Sequence, residues 1–469
     1  MERDPPAGPD DALHPVRRLR RESIGHQFGP PAAGWIPLQA AGGQAASPSV
    51  EAPVKRRSRL RLAIGVAVAV AVSGAWSAAA LQGQPAAAPT TVARASAFPA
   101  QTPADAIWDL RMYSRSTGWA QRISDGAVLH TTLGVLRWTI ASPPTAQAVI
   151  GVSYLGAQTA RALTVPDDAD GQTTVQSWAT SDGGTTWSAG GGFVVLGFSP
   201  GLIGSLDFVD PGHGWFSELQ DDPGVTGTAL YRTVDGGTRW TRVAVVGTTG
   251  PGGAAGAGHS RPATSGCVQL TATFTSTTTG WLTGTCSTGP PPLYVTHDGG
   301  LTWADQPLTP LVGSLYGETS TPPSFTSAEG GTLVTEDVGA APLSVGLFAT
   351  TNGGRTWSLR YATAATPVGS DFVGADDGWL VMSSASSGDP AAPDLYFTGD
   401  GGRSWSILYA FPSIGYVGLD LDFLTAGTGW ASTDPGQTAG SASYLLETDD
   451  GGHSWTALRP QLSPQTPPT

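Results

Sequence analysis

The chain has 469 residues, of which 13% are charged, with 64 glycines, 38 prolines and a formal net charge of −13. Gly and Pro break helix interiors, so this composition excludes a mainly helical protein and favours a turn-rich β architecture. The charge is uneven: residues 1–61 hold ten Lys/Arg against six Asp/Glu, while the remainder holds fourteen Arg, no Lys and thirty-one Asp/Glu, an acidic body that argues against nucleic acid as a partner.

Residues 1–61 are rich in Pro, Ala and Gly, carry "RRLRR" at 17–21 and lack a periodic apolar pattern, the composition of a disordered tail. Leu62 to Leu81, "LAIGVAVAVAVSGAWSAAAL", is a twenty-residue stretch without a charge, long enough for a transmembrane helix. Lys55, Arg56, Arg57, Arg59 and Arg61 precede it directly, and no basic residue follows before Arg94. The positive-inside rule then places the tail in the cytoplasm and the body outside, as a single-pass protein of the cell membrane. A signal peptide cleaved near Ala78–Ala80 is the alternative, and it too exports the body. Residues 82–105 read as an extended Pro/Ala-rich linker.

From 106 to 459 the chain repeats itself. "TSDGGTTW" (180–187), "TVDGGTRW" (233–240), "THDGGLTW" (296–303), "TTNGGRTW" (350–357), "TGDGGRSW" (398–405) and "TDDGGHSW" (448–455) are close copies, and "TTLGVLRW" (131–138) is a degenerate seventh. Upstream of the copies lies a second element, an apolar residue followed seven positions later by a Trp after Gly. It reads "MYSRSTGW" (112–119), "FVDPGHGW" (208–215), "FTSTTTGW" (274–281), "FVGADDGW" (372–379) and "FLTAGTGW" (423–430), with Thr332 replacing Trp in "FTSAEGGT" (325–332). In the second unit this element has no clear counterpart. Leu129, Trp178, Tyr231, Tyr294, Phe348, Tyr396 and Leu446 each stand two residues before a motif Thr, the alternation of a strand with one buried face.

Each unit therefore reads as four short strands, A to D. The Asp-Gly-Gly between C and D is hairpin chemistry, since Gly accepts positive φ and the Asp carboxylate accepts the turn's own N–H groups. Asp182, Asp235, Asp298, Asp400 and Asp450 are thus structural turn residues; Asn352 keeps the acceptor, and Leu133 loses it. Motif Trp residues recur every 48 to 63 positions. Four-stranded units at that period predict an all-β, seven-bladed β-propeller over 106–459, followed by a disordered tail over 460–469.

The "S/T-x-D-G-G-x-T-W" copies resemble the Asp box of BNR repeats. Their pairing with the upstream Phe and Gly-Trp element resembles the propellers of photosystem II stability and assembly factors. Sialidases and sortilin-type receptors share the Asp box alone. The resemblance implies a propeller and, by analogy with assembly factors, chaperone-like docking; it does not select between enzyme and scaffold. A sialidase would require an arginine cluster for the substrate carboxylate and a Tyr with a Glu partner. Arg111, Arg115 and Arg122 lie in the first unit, without the accompanying "R-I-P"-like signature.

Cys267 and Cys286 are the only cysteines, and folding the hairpin around Phe274 and Trp281 brings them within a residue or two of facing each other. Outside the cytoplasm a cross-strand disulfide is the natural outcome. The sequence shows no phosphate-cradling loop, "HExxH", paired Cys motif or nucleophile elbow, so no catalytic residue, metal or cofactor is assigned. Loop lengths carry the best functional clue. The A–B and C–D turns, on one face of an antiparallel blade, are nearly constant, whereas the B–C and D–A loops on the other face vary. Glu218, Asp221, Asp222, Arg261, Tyr316 and Glu318 fall on that variable-loop face and are the candidate ligand contacts. The resulting expectation is a membrane-anchored, extracytoplasmic propeller acting as a non-catalytic binding or assembly scaffold for an envelope protein or glycan. The alternative is a glycan-processing hydrolase, which needs two carboxylates at a fixed separation.

Overall fold

The computed structural model describes residues 92–98 and 106–464, except 146, 167–170, 199–203, 223–224, 247–266, 287–291, 309–317, 338–343, 384–391, 413–417 and 435–442. The expected tail over 1–61 and the apolar stretch 62–81 lie outside the described residues. Among the described residues, no helix is long and apolar enough to cross a membrane.

Seven antiparallel blades follow one another along the chain. Blade 1 holds β1 (Ile107–Met112), β2 (Gly118–Arg122), β3 (Val128–Thr131) and β4 (Arg137–Ile140). Blade 2 holds β5 (Ala148–Tyr154), β6 (Ala160–Val165), β7 (Gly171–Thr180) and β8 (Ser188–Phe198). Blade 3 holds β9 (Ser205–Phe208), β10 (Gly214–Asp222), β11 (Val225–Thr233) and β12 (Thr241–Val246). Blade 4 holds β13 (Cys267–Phe274), β14 (Gly280–Cys286), β15 (Leu293–Thr296) and β16 (Ala304–Asp305). In blade 5 the inner strand is split into β17 (Glu318–Ser320) and β18 (Ser324–Phe325), both paired with β19 (Gly331–Asp337), and β20 (Ser344–Thr350) and β21 (Ser358–Ala364) complete it. Pro322 and Pro323 fall in the split, where neither can donate to a ladder. Blade 6 holds β22 (Thr366–Phe372), β23 (Gly378–Ser383), β24 (Asp394–Thr398) and β25 (Ser406–Ala410). Blade 7 holds β26 (Gly418–Phe423), β27 (Gly429–Asp434), β28 (Leu445–Thr448) and β29 (Thr456–Leu458).

The repeated aromatics bind blade to blade. Trp215 of blade 3 lies flat on Phe274 of blade 4, with ring centroids 3.6 Å apart, and Trp379 of blade 6 lies in the same way on Phe423 of blade 7. Trp119 stacks on Tyr154 and Trp281 tilts over Phe325, continuing the relay. Each such Phe also meets the motif Trp of its own blade edge-on, as Phe423 does Trp455 and Phe274 does Trp303. The motif Trp thus reaches inward to the inner strand as well as covering the outer ones. These rings are almost fully buried, and each contributes a large apolar area to the inter-blade core. Buried carboxylates of the inner strands add direct hydrogen bonds. Asp207 accepts the Phe274 N–H at 2.7 Å and Asp371 accepts the Phe423 N–H at 2.6 Å.

The second unit's missing element is Tyr154 to Arg161. Ala160 stands where the other units have Gly, and Arg161 stands where they have Trp. Its guanidinium lies 5.7 Å over the Phe208 ring, a cation taking the place of a stacked indole.

Two boundary readings are corrected. The segment 460–469 is not wholly a disordered tail: β30 (Gln461–Ser463) adds in parallel to β4 of blade 1, opposite Arg137, Trp138 and Thr139. It joins the last blade to the first. The same seam holds a buried ion pair, Arg111 to Asp422 at 3.1 Å, while the other Asp422 oxygen accepts the Met112 N–H. The linker 82–105 is likewise not free along its whole length, because residues 92–98 dock on blade 6 through a parallel bridge between Arg94 and Ala410.

Candidate functional site

The Asp-Gly-Gly turns are built alike. In blade 4 the Thr296 hydroxyl donates to Asp298 Oδ1 at 2.8 Å and accepts the Gly300 N–H at 2.9 Å. Asp298 Oδ1 also accepts the Thr302 N–H, and Oδ2 accepts the Thr302 hydroxyl at 2.6 Å. Asp182, Asp400 and Asp450 repeat this set, Asp235 lacks only the last bond, and Asn352 reverses it by donating to Thr356. Both glycines of each turn have positive φ, for example 76° at Gly299 and 90° at Gly300. The first of them donates to a carbonyl of its own blade's A–B turn, as Gly299 does to Thr278 at 2.8 Å, so the two turns share one face. Burial pushes these carboxyls up, but the Thr and Ser donors outweigh it and hold Asp298 below the ordinary carboxylate range and Asp400 at about 2. These side chains are occupied by their own turns.

The three arginines of the first unit do not converge. Arg111 is buried against Asp422 between blades 1 and 7. Arg115, in the A–B turn, meets exposed Asp449 at 2.7 Å and the Thr428 hydroxyl. Arg122, at the opposite end of its blade, pairs with Asp125 three residues on. Each is engaged within the fold, in a different place, and the arrangement is not a carboxylate-binding triad.

The variable-loop face differs most from expectation at blade 3. Residues 217–222 and 225–229 are strand, not loop: β10 and β11 stay paired from Gly214 and Thr233 out to Asp222 and Val225, although inner strand β9 pairs only as far as Ser217. Asp221 and Asp222 therefore sit on a two-stranded ribbon raised beyond the inner strand. Glu218 is corrected more sharply. It is 1% exposed, packed on the blade 2 side of the ribbon with Phe216 and Tyr231, and neither of its oxygens has a hydrogen-bond partner among the described residues. Burial pushes its carboxyl up to about 8, against a weaker downward pull from Arg242. The Tyr231 hydroxyl, buried and also without a partner among the described residues, is raised to about 12 by burial and then by Glu218. At neutral pH Glu218 is mostly a neutral acid, buried on β10 two residues from Phe216 of an apolar cluster, and not a surface contact.

Glu318 also lies in a strand, β17, opposite Asp337. Arg261 and Tyr316 lie outside the described residues. The backbone register sets Cys267 directly opposite Cys286, because a one-residue bulge between Val268 and Thr271 shifts the ladder into that pairing. Among the described residues, no group of three His, Cys, Asp or Glu could hold a metal ion.

In blade 2, β7 and β8 remain paired up to Gly171 and Phe198, past the end of β6 at Val165, and form a second ribbon beside that of blade 3. On outermost β8, Phe193 and Val195 are buried, while Val194 (46% exposed) and Leu196 (39%) face solvent. The run "FVVLGF" (193–198) carried the signal, since a strand with one inward face has no folding need for apolar residues on the other.

The blade topology defines a seven-bladed, all-β propeller. No protein-family model matches the sequence. No curated protein matches it either. Among solved structures the chain is similar to YCF48 bound to D1 peptide, at 16% identity and a TM-score of 0.43, over 76% of this chain and 98% of that one. It is similar to YCF48 from Cyanidioschyzon merolae at 16% identity and a TM-score of 0.43, over 75% and 97%. It is also similar to an α-L-arabinanase from Penicillium chrysogenum complexed with arabinobiose, at 13% identity and a TM-score of 0.36, over 66% and 96%. Resemblance at this level concerns architecture and not ligand.

Proposed function

We propose that this propeller is an extracytoplasmic, membrane-anchored scaffold that docks an envelope protein on its variable-loop face without catalysing a reaction. The observation that carries it is the pair of adjacent ribbons on blades 2 and 3, with Val194 and Leu196 exposed on the outermost strand. Solvent-facing aliphatic side chains on a rigid, twisted ribbon suit a protein surface, which removes them from water and accepts their shape. The hydrolase reading, which needs two exposed carboxylates, is less well supported, since Glu218 of the candidate ligand contacts is enclosed in the core.

Anchoring rests on the basic cluster Lys55–Arg61 followed by the uncharged stretch Leu62–Leu81. A reporter active only in the cytoplasm, fused after Thr469, should be silent; a strong signal would sink the export reading. Docking is tested by cross-linking in intact membranes with wild type and with Val194→Asp/Leu196→Asp. The scaffold reading expects a defined cross-linked protein partner that the double variant loses while remaining folded. Turnover of a glycan by wild type would favour the hydrolase instead.

A further inference from the structure

Residues 92–98, "VARASAF", lie along the variable-loop end of blades 6 and 7. The Arg94 guanidinium donates to the Ala392 carbonyl at 3.1 Å, to the Phe411 carbonyl, and to Asp394 Oδ1 at 3.3 Å. The Ala95 N–H donates to the Ala410 carbonyl at 3.0 Å, extending the blade 6 ladder past outermost β25. Four residues beyond Arg94, Phe98 packs against Tyr444 at 6.2 Å and onto the core cluster shared by blades 6 and 7. A main-chain bond and two side-chain anchors make an extended-peptide recognition mode, here filled from within the chain.

The cleft has a distinct chemistry. Two carbonyls and a carboxylate converge and no donor is among them, so the acceptors match the planar fork of a guanidinium. An ammonium would supply the charge but not the planar fork, in which one nitrogen here meets both carbonyls and the other the carboxylate. Asp394 is 9% exposed; burial pushes its carboxyl up and Arg94 draws it part of the way back.

We propose that this cleft is a recognition site for extended peptides bearing an arginine followed four residues later by an aromatic, occupied in cis by residues 92–98 and open in trans when that segment leaves. Tethering gives the segment a high effective concentration, so it masks the site from weak competitors. A partner peptide that makes more main-chain bonds to β25 than the one from Ala95 displaces it. The site is separate from the ribbons of blades 2 and 3, and it stands or falls independently of docking there.

The probe is a fluorescein-labelled peptide of residues 91–99, "TVARASAFP", titrated by anisotropy into the purified full-length chain. Arg94→Ala/Phe98→Ala, which frees the cleft, should bind the probe at least about tenfold more tightly than wild type does. Replacing the probe's arginine by alanine, or adding Asp394→Ala to the freed chain, should weaken binding by about tenfold or more. Should the double variant fail to fold, Arg94→Lys serves in its place, since it loosens the segment by removing the planar fork while keeping the charge. A freed, folded chain that does not bind the probe overturns the proposal, as does binding indifferent to the probe's arginine or to Asp394. A wild-type dimer in which each copy's residues 92–98 sit on the other also overturns it, because the cleft would then be an assembly joint.

Discussion

Replacing Glu218 by Gln should make the protein more stable, and by an amount that grows with pH. The carboxyl is raised from 4.5 to about 8 by burial without a hydrogen-bond partner, so between these values the folded chain holds a proton that the unfolded chain has released. Stability is therefore complete below about pH 4.5 and is lost as pH rises towards about 8. At 1.36 kcal/mol per unit, the wild-type deficit is about 1 kcal/mol at pH 5, about 3 at pH 7 and nearly 5 at pH 9. Gln has the shape of the protonated acid and no charge, so Glu218→Gln should remove the deficit and little else. Urea unfolding of the two proteins at several pH values between 5 and 9 measures it. The curves should nearly meet at the acid end and separate towards the alkaline end. Parallel curves, or a variant weaker than wild type at pH 9, would refute the assignment of Glu218 to a dry, unpaired site.

Trp379→Ala should destabilise by about 3–5 kcal/mol in thermal or urea unfolding, because it removes both the stack on Phe423 and the indole bond to the Gly451 carbonyl. Asp298→Ala removes three donor contacts from one turn and should cost about 1–3 kcal/mol, with Asp298→Asn milder, as Asn352 is in its own turn. Ending the chain at Arg459 deletes β30 and should lower the melting temperature, with faster exchange of the blade 1 amides; unchanged exchange there would argue against closure at that seam. Thiol titration of the intact, non-reduced protein should find no free thiol if Cys267 and Cys286 are bridged, and reduction should cost about 3 kcal/mol for a loop of this length.

The blade number was legible because each unit repeats the same spatial necessities. A C–D turn needs glycines at positive φ and an internal acceptor, and a blade interface needs a flat ring on a Phe. What remained hidden follows from substitution of one physical solution by another. Arg161 covers Phe208 with a guanidinium, so the second unit carries no Gly-Trp to find. Glu218 was misplaced because "SELQDDPGVTGTA" reads as polar and turn-like, yet cross-strand pairing carries β10 and β11 on as a ribbon with Glu218 buried at its base. A carboxylate at such a position looks solvated in sequence, and only the packing of Phe193, Phe216 and Tyr231 shows otherwise. Arg94 and Phe98 were concealed by the Pro/Ala-rich composition around them, which describes a linker well and says nothing of two anchors within it. Leu462 was concealed by brevity, since three residues of parallel pairing leave no periodic trace.

The same contrast locates function. Residues that recur from blade to blade are consumed by the fold: the motif Asp by its turn, the Gly-Trp indole by the neighbouring Phe, and the inner-strand Asp of blades 3, 6 and 7 by the next blade's N–H. A residue already holding its full set of partners has little left for a ligand. Departures from the repeat are then the informative positions, and three of them lie on the variable-loop face. Blades 2 and 3 raise ribbons past their inner strands, and blade 6 receives a segment from outside the repeat altogether. A seven-fold frame offers equivalent positions around its axis, so a partner can be oriented only by what breaks the equivalence. The ribbons with Val194 and Leu196, and the acceptor cleft filled by Arg94, are two such breaks on one face, and a partner that engaged both would be fixed in rotation as well as in position.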